Sequence, residues 1–305
     1  MKKTTLFKQL LEANEILLAP GIYDGITTRF VQSMGFKTGS ISGAGISNSR
    51  LGKPDVGIMG LAENVDQCRN LVNCVDIPLQ ADGDTGYGNA VNVYYTTQAF
   101  EQAGVACLML EDQAWPKRCG HMKGKQVISA EEMVKKIEAA IAARKDPDFC
   151  IKARTDAAGI LGIDEAIRRA NLYADAGADL LFADALLSRE DIKRFAGETK
   201  KPVAVNMGCG IRKRPTTPLI SARELQEMGV AMVSYPRMLS GAAVCGMKKA
   251  VELLFESVKN GEVYDRPDLT VSFEEFTDLM GLPAIRDLEE KFLTEEILSQ
   301  KYKSK

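Results

Sequence analysis

Eight short apolar runs, each followed by a stretch of helical periodicity, recur along this chain. The runs fall at 16–19, 38–42, 77–81, 105–110, 149–153, 179–183, 202–205 and 230–234. They are rich in Val, Ile, Leu and Ala and do not alternate apolar with polar residues, the mark of strands buried on both faces. Helical patterns follow, at 24–34 behind Asp24 as N-cap, then at 62–74, 91–103, 130–144, 164–176, 188–196, 221–228 and 238–259. Parallel strands need such crossovers. Eight units in one chain predict a closed (β/α)8 barrel rather than an open sheet.

Two segments lie outside that repeat. Residues 4–14 read as an amphipathic helix with Leu6, Leu10 and Leu11 on one face. Residues 272–301 carry further helices with Phe273, Phe276, Ile285, Leu288 and Phe292, more apolar surface than a barrel needs. The expected organisation is a catalytic barrel over 1–260 and a helical extension over 261–305 that packs on the barrel or on a partner subunit.

A net charge of −2 gives no support to a nucleic-acid or membrane-surface role. No apolar run reaches the roughly 18 residues of a membrane span. Seven scattered cysteines, with no Cys-x-x-Cys pair, imply free thiols in a reducing cytoplasm.

Barrels of this kind carry their chemistry at the carboxyl ends of the strands. Those ends hold Ser42, Gly43 and Gly45, then Asp82 and Asp84, Glu111, Arg154, Asp184, Asn206 and Arg237. Singly, each could be a salt bridge or a helix cap; their convergence on one rim is harder to explain that way. Asp82, Asp84 and Glu111 end adjacent strands and would repel one another unless a cation joined them. Hard oxygen donors suit Mg²⁺ or Mn²⁺, and Asp55 stands on a loop that could join them from further out. A single histidine and no thiolate cluster argue against zinc. Gly43, Ala44 and Gly45 would present backbone N–H groups to a carboxylate or an oxyanion. Arg154 can clamp a carboxylate with two hydrogen bonds. The glycines at 83, 86 and 88 form no nucleotide fingerprint.

After the fourth run the chain enters a basic, glycine-containing loop, 111–125, with the only tryptophan (Trp115) and the only histidine (His121) of the protein. Cys119 sits there among Lys117, Arg118 and Gly120. Cationic neighbours favour thiolate and so ease proton exchange near neutral pH.

Asp82-Gly83-Asp84-Thr85-Gly86-Tyr87-Gly88, Glu111-Asp112-Gln113 and Lys117-Arg118-Cys119-Gly120-His121 occur in this order. In that order and spacing they resemble the isocitrate lyase and phosphoenolpyruvate mutase superfamily, above all its short members, the 2-methylisocitrate and 2,3-dimethylmalate lyases. The likeness runs from about residue 15 to 260. It implies a TIM-type barrel whose last helix is exchanged between subunits of a homotetramer, a dimer of dimers. It also implies Mg²⁺, with Mn²⁺ an alternative, and a loop that closes over a small carboxylate substrate. By position, Asp82 and Asp84 match the metal aspartates, with Asp55 and Glu111 acting through water. Ser42, Gly43, Ala44, Gly120, Arg154, Asp184 and Asn206 match substrate contacts. Cys119 matches the catalytic cysteine, attended by Lys117, Arg118, His121 and Glu111.

The implied reaction is cleavage of a 2-hydroxy di- or tricarboxylate to a 2-oxo acid and an enolate-like dianion, which Cys119 protonates. A thiol of ordinary pKa, about 8.5, is a usable general acid. The residue that removes the hydroxyl proton is not named by the sequence. Several positions depart from the family pattern. Ala44 replaces a glycine, Asp184 a glutamate, and Ser40 the tyrosine of some methylisocitrate lyases. Met207-Gly208-Cys209-Gly210 stands where those enzymes have Thr-Glu-Phe-Gly. An arginine anchor falls near Gly241, although Arg237 is close by. Loss of a carboxylate anchor points to a dicarboxylate such as 2,3-dimethylmalate. An oxaloacetate hydrolase or decarboxylase, a phosphonomutase-type enzyme and a non-catalytic carboxylate-binding barrel are the alternatives.

Overall fold

A computed structural model of the chain describes residues 1–119, 122, 124–210 and 217–302. Eight parallel strands close into a barrel in sequence order, β8 pairing back onto β1. They are β1 (Leu17–Ile22), β2 (Gly39–Ile41), β3 (Leu79–Asp82), β4 (Cys107–Glu111), β5 (Cys150–Thr155), β6 (Leu180–Ala183), β7 (Val203–Asn206) and β8 (Met232–Tyr235). The expected (β/α)8 architecture is therefore the observed one.

Alternate strand positions serve two cores, as the pleat requires. One set, including Ile41, Leu79, Leu108, Ile151, Leu181, Val203 and Val233, packs outward against helix residues such as Val31, Phe100, Ile137, Tyr173 and Phe195. The other set faces the barrel axis. Leu17, Cys107, Cys150, Leu180 and Met232 begin their strands and gather around Phe7 and Leu11 of the helix Lys3–Glu12. That helix plugs the amino-terminal end of the barrel. The lower interior is therefore dry and the upper interior is free for polar groups.

Two helices, Gly43–Leu51 and the single turn Ala158–Leu161, were not expected. Gly43–Leu51 is helical, started by Ser42, whose Oγ accepts from the Gly45 N–H at 3.1 Å, and ended by Gly52 at φ 62°. Its glycines read as loop because glycine weakens helices. They are there for close approach instead: a Cβ on Gly45 would lie 2.7 Å from Tyr23, and one on Gly43 2.9 Å from Asp82 Oδ2.

The chain divides into two compact units, Met1–Ala242 and Ala243–Lys305. The division falls inside the helix Met238–Asn260, ahead of residue 260. In the second unit that helix is followed by Phe273–Leu279, Leu282–Phe292 and Glu295–Tyr302, none with a buried residue. Phe255, Phe273 and Phe292 are at least 70% exposed. Among the described residues no helix is long and apolar enough to cross a membrane.

Phe7 is fully buried in the plug. Phe7→Ala should lower the free energy of unfolding of the barrel by about 3–5 kcal/mol, read as a lower urea midpoint.

Candidate active site

The carboxyl ends of the strands open into one cavity. Ser42, Ala44, Asp55, Asp82, Cys119, Arg154, Asp184 and Asn206 line it, and so do Ser40, Gln80, Lys152, Ser234 and Arg237. Most of the residues read from the strand ends thus meet in one place. Asp84, Glu111 and Lys117 are buried just behind the lining. Gly43 backs onto Asp82. Gly120 and His121 lie outside the described residues.

The acidic set is answered by an ammonium. Lys117 Nζ stands 2.6 Å from Asp55 Oδ1 and 2.6 Å from Asp84 Oδ1, and only 3% of the lysine side chain is exposed. Burial works against its charge, but Asp84, Asp82, Glu111 and Asp55 outweigh that and hold its pKa well above the ordinary value. Burial raises the Asp84 carboxyl in turn, against the pull of Lys117. Asp84 takes a left-handed backbone, φ 49°, with its N–H on Asp82 Oδ1 at 3.0 Å. Among the described residues neither oxygen of the buried Glu111 has a hydrogen-bond partner, and burial pushes its pKa well up. Among the described residues, no three His, Cys, Asp or Glu side chains gather as a metal-holding group. Lys117 stands between Asp55 and Asp84. Oxygen donors in excess, with a Glu111 carboxylate that accepts no hydrogen bond among the described residues, suit a hard divalent ion, so the residues fit one.

Arg154 is engaged by protein carboxylates. Its Nε and Nη2 donate to Asp156 at 2.7 and 3.0 Å, and Nη2 also donates to Asp184 at 2.9 Å. Glu111 lies 3.3 Å from its Nε. Asp156 keeps a depressed pKa despite burial, because Arg154 and Lys125 both face it. Behind this pair sits Asp112, fully buried. It accepts from Thr155 Oγ1, the Asp156 N–H, Arg169 Nη1 and the Tyr173 hydroxyl, at 2.7, 2.8, 3.1 and 2.8 Å. Asp112 therefore sets the backbone that presents Asp156, which orients Arg154.

The cysteine loop is laced down over the cavity. The Cys119 N–H donates to the Asp55 carbonyl at 3.2 Å, and Arg237 Nη2 donates to Cys119 Sγ at 3.5 Å. The Gln113 side chain donates to the Arg118 carbonyl and accepts its N–H, at 2.9 and 3.0 Å. Arg237 also donates to Asn48 Oδ1 at 3.2 Å.

Lys152, Gln80, Ser234, Asp156 and Lys125 were not singled out from the sequence, and Asp112 entered only as part of the motif Glu111-Asp112-Gln113. For Lys152 a signal existed: one charged residue in an otherwise apolar strand, Phe149–Ala153.

A family model described as phosphoenolpyruvate phosphomutase matches residues 7–255. The chain is 40% identical to the 2,3-dimethylmalate lyase of Eubacterium barkeri over 96% of this chain and 99% of that protein. It is 38% identical to the 2-methylisocitrate lyase of Aeropyrum pernix over 97% and 93%. Oxaloacetate acetylhydrolase in complex with 3,3-difluorooxalacetate superposes with a TM-score of 0.87 at 30% identity, over 95% of this chain and 97% of the other. Phosphonopyruvate hydrolase in complex with oxalate and Mg²⁺ does so with 0.83 at 28% identity, over 96% and 100%.

Asp112→Asn removes one of the two carboxylates, with Glu165, that face Arg169. It should cost about 1–3 kcal/mol of stability, measured by chemical denaturation.

Proposed function

We propose, from the membership of this chain in the phosphoenolpyruvate phosphomutase family as a carbon–carbon lyase of that superfamily, that it cleaves a 2-hydroxy dicarboxylate of the 2,3-dimethylmalate type. The observation that carries this reading is Cys119 held at the cavity wall by the Asp55 carbonyl and Arg237, beside the carboxylate set of Asp55, Asp82, Asp84 and Glu111. Asp82 and Asp84 would hold Mg²⁺, or Mn²⁺, directly, and Asp55 and Glu111 through water. Bound there, the ion would polarise the hydroxyl and carboxylate of the substrate.

The residues of the chain do the rest. The N–H groups at the start of the helix Gly43–Leu51 and the Ser42 hydroxyl bind a carboxylate. Arg154, Asp184 and Asn206 shape the opposite wall. Loss of the hydroxyl proton forms the C2 carbonyl and breaks C2–C3. The electron pair passes to C3 and its carboxylate, and the Cys119 thiol gives its proton to C3. From 2,3-dimethylmalate the products are pyruvate and propionate. Lys117 answers the Asp55 and Asp84 carboxylates, and Arg118 and His121, with Gly120, would attend the developing negative charge. Arg237 is placed to take the second carboxylate.

A second reading has its own support. The match to oxaloacetate acetylhydrolase is as good in shape as any reported above, and hydrolysis of oxaloacetate would release oxalate and acetate.

The second unit bears on assembly. Val244, Met247, Val251, Leu254, Phe255 and Val258 are all at least half exposed along the helix Met238–Asn260. That much apolar surface on one helix marks a protein partner, and a second copy exchanging this helix would cover it in a homotetramer. All seven cysteines are free thiols, which supports a cytoplasmic location.

The test is release of 2-oxo acid from 2,3-dimethylmalate, 2-methylisocitrate and oxaloacetate, each with Mg²⁺ and with chelator. Metal-dependent pyruvate from the first at the highest kcat/KM is expected, and oxalate from oxaloacetate as the dominant product would overturn the lyase assignment. Cys119→Ala should lower kcat by about 10²–10⁴-fold while leaving ligand affinity nearly unchanged. Phe255→Asp should shift the assembly to smaller species in light scattering.

A further inference from the structure

Below the strand-end residues the barrel axis holds a second polar layer that no step above uses. Lys152 of β5 points into it and lines the cavity floor with Gln80 and Ser234. Gln80 Nε2 donates to Ser234 Oγ at 3.0 Å, which turns the amide so that its Oε1 accepts from Lys152 Nζ at 3.3 Å. The Phe182 ring lies 4.9 Å from the same nitrogen. Among the described residues Nζ makes no ion pair and no other hydrogen bond. An ammonium has three donors, so two N–H groups, or one N–H and a lone pair, are left without a protein partner at the floor.

A buried cation without a counter-charge is costly. Its persistence beside the site calls for a ligand oxygen or for a neutral amine. We propose that Lys152 is the proton acceptor for the 2-hydroxyl of the substrate. The inference rests on the lyase reading and supplies the base which that reading lacks. The O–H bond breaks, its proton goes to the Nζ lone pair, and the oxygen becomes the C2 carbonyl as C2–C3 cleaves. Cys119 delivers a different proton to C3. Transfer of the proton from Lys152 to solvent and reprotonation of Cys119 complete the cycle.

The environment favours the neutral amine. Burial lowers the pKa of Lys152 to about 8. Cys107 from β4 opposes this, Arg154 two residues along β5 adds to it, and Asp82 from β3 and Asp184 from β6 oppose it. Gln80 and Ser234 hold the amine in one orientation, and the ring of Phe182 walls it from the apolar plug.

The experiment compares wild-type enzyme with Lys152→Met and Lys152→Arg, Mg²⁺-loaded, with 2,3-dimethylmalate as substrate and oxalate as a non-reacting ligand in calorimetry. Wild-type kcat/KM should rise with pH up to about 8 as Lys152 loses its proton. Both variants should lose about 10²–10⁴-fold in kcat and the rising limb, with oxalate affinity within about threefold of wild type. Lys152→Met, which removes a buried charge, should melt no lower than wild type. Arginine cannot accept a proton at these pH values, so recovery of turnover in Lys152→Arg would overturn the proposal and leave only a positive charge. Equal loss of oxalate binding and turnover, or kcat within tenfold of wild type, would overturn it as well. A wild-type enzyme that cleaves no 2-hydroxy dicarboxylate would sink the lyase reading itself, and the role of Lys152 with it.

Discussion

The upper half of this barrel depends on the mutual repulsion of carboxylates forced together by the strand ends. Asp55, Asp82, Asp84, Glu111, Asp112, Asp156 and Asp184 all stand at or just above the rim. At the effective dielectric of a protein interior, two unit charges about 4 Å apart repel by about 4 kcal/mol. The structure answers with cations placed one by one. Lys117 lies between Asp55 and Asp84, Arg154 between Asp156 and Asp184, Lys125 on Asp156, and Arg169 on Asp112. Glu111 is left least satisfied, with neither oxygen hydrogen-bonded among the described residues. The site is electrostatically loaded toward a further hard cation, and the cysteine loop is tied to it because Lys117 belongs to that loop.

The division of the barrel interior makes this arrangement affordable. Phe7, Leu11, Leu17, Leu180 and Met232 keep water out of the amino-terminal end. The charged residues sit only toward the carboxyl end, within reach of solvent or a ligand. Lys152 occupies the boundary between the two regions, with Phe182 on one side and Gln80 on the other. A cation at such a boundary feels both burial and the field of the site, which is how an amine becomes useful near neutral pH.

The loop that carries Cys119 is held by backbone and amide contacts as well as by the buried ion pairs of Lys117. Gln113 grips both polar groups of Arg118, Asp55 accepts from the Cys119 N–H, and residues 113 and 127 bridge as a short antiparallel pair. Such contacts are individually modest.

The sequence by itself determined the barrel, because eight doubly buried strands leave a run of apolar residues that few other patterns produce. It also determined which strand ends would carry charged or amide side chains, since Asp82, Glu111, Arg154, Asp184 and Asn206 each close an apolar run. The motif around Cys119 was legible for the same reason: its chemistry is local. Only the tertiary structure decided who pairs with whom. Arg154 reads as a free clamp along the chain, yet Asp156 and Asp184 hold it in space. Lys117 reads as a loop cation, yet it is buried between two aspartates that lie 62 and 33 residues before it. Gly43 and Gly45 read as loop, yet a helix starts there because Ser42 caps it and Asp82 and Tyr23 tolerate no Cβ. Lys152 needed the barrel closed before Gln80, Ser234 and Phe182, from three other strands, could surround it. Periodicity is a property of neighbours along the chain, whereas charge pairing and burial depend on distances that exist only once the strands have closed.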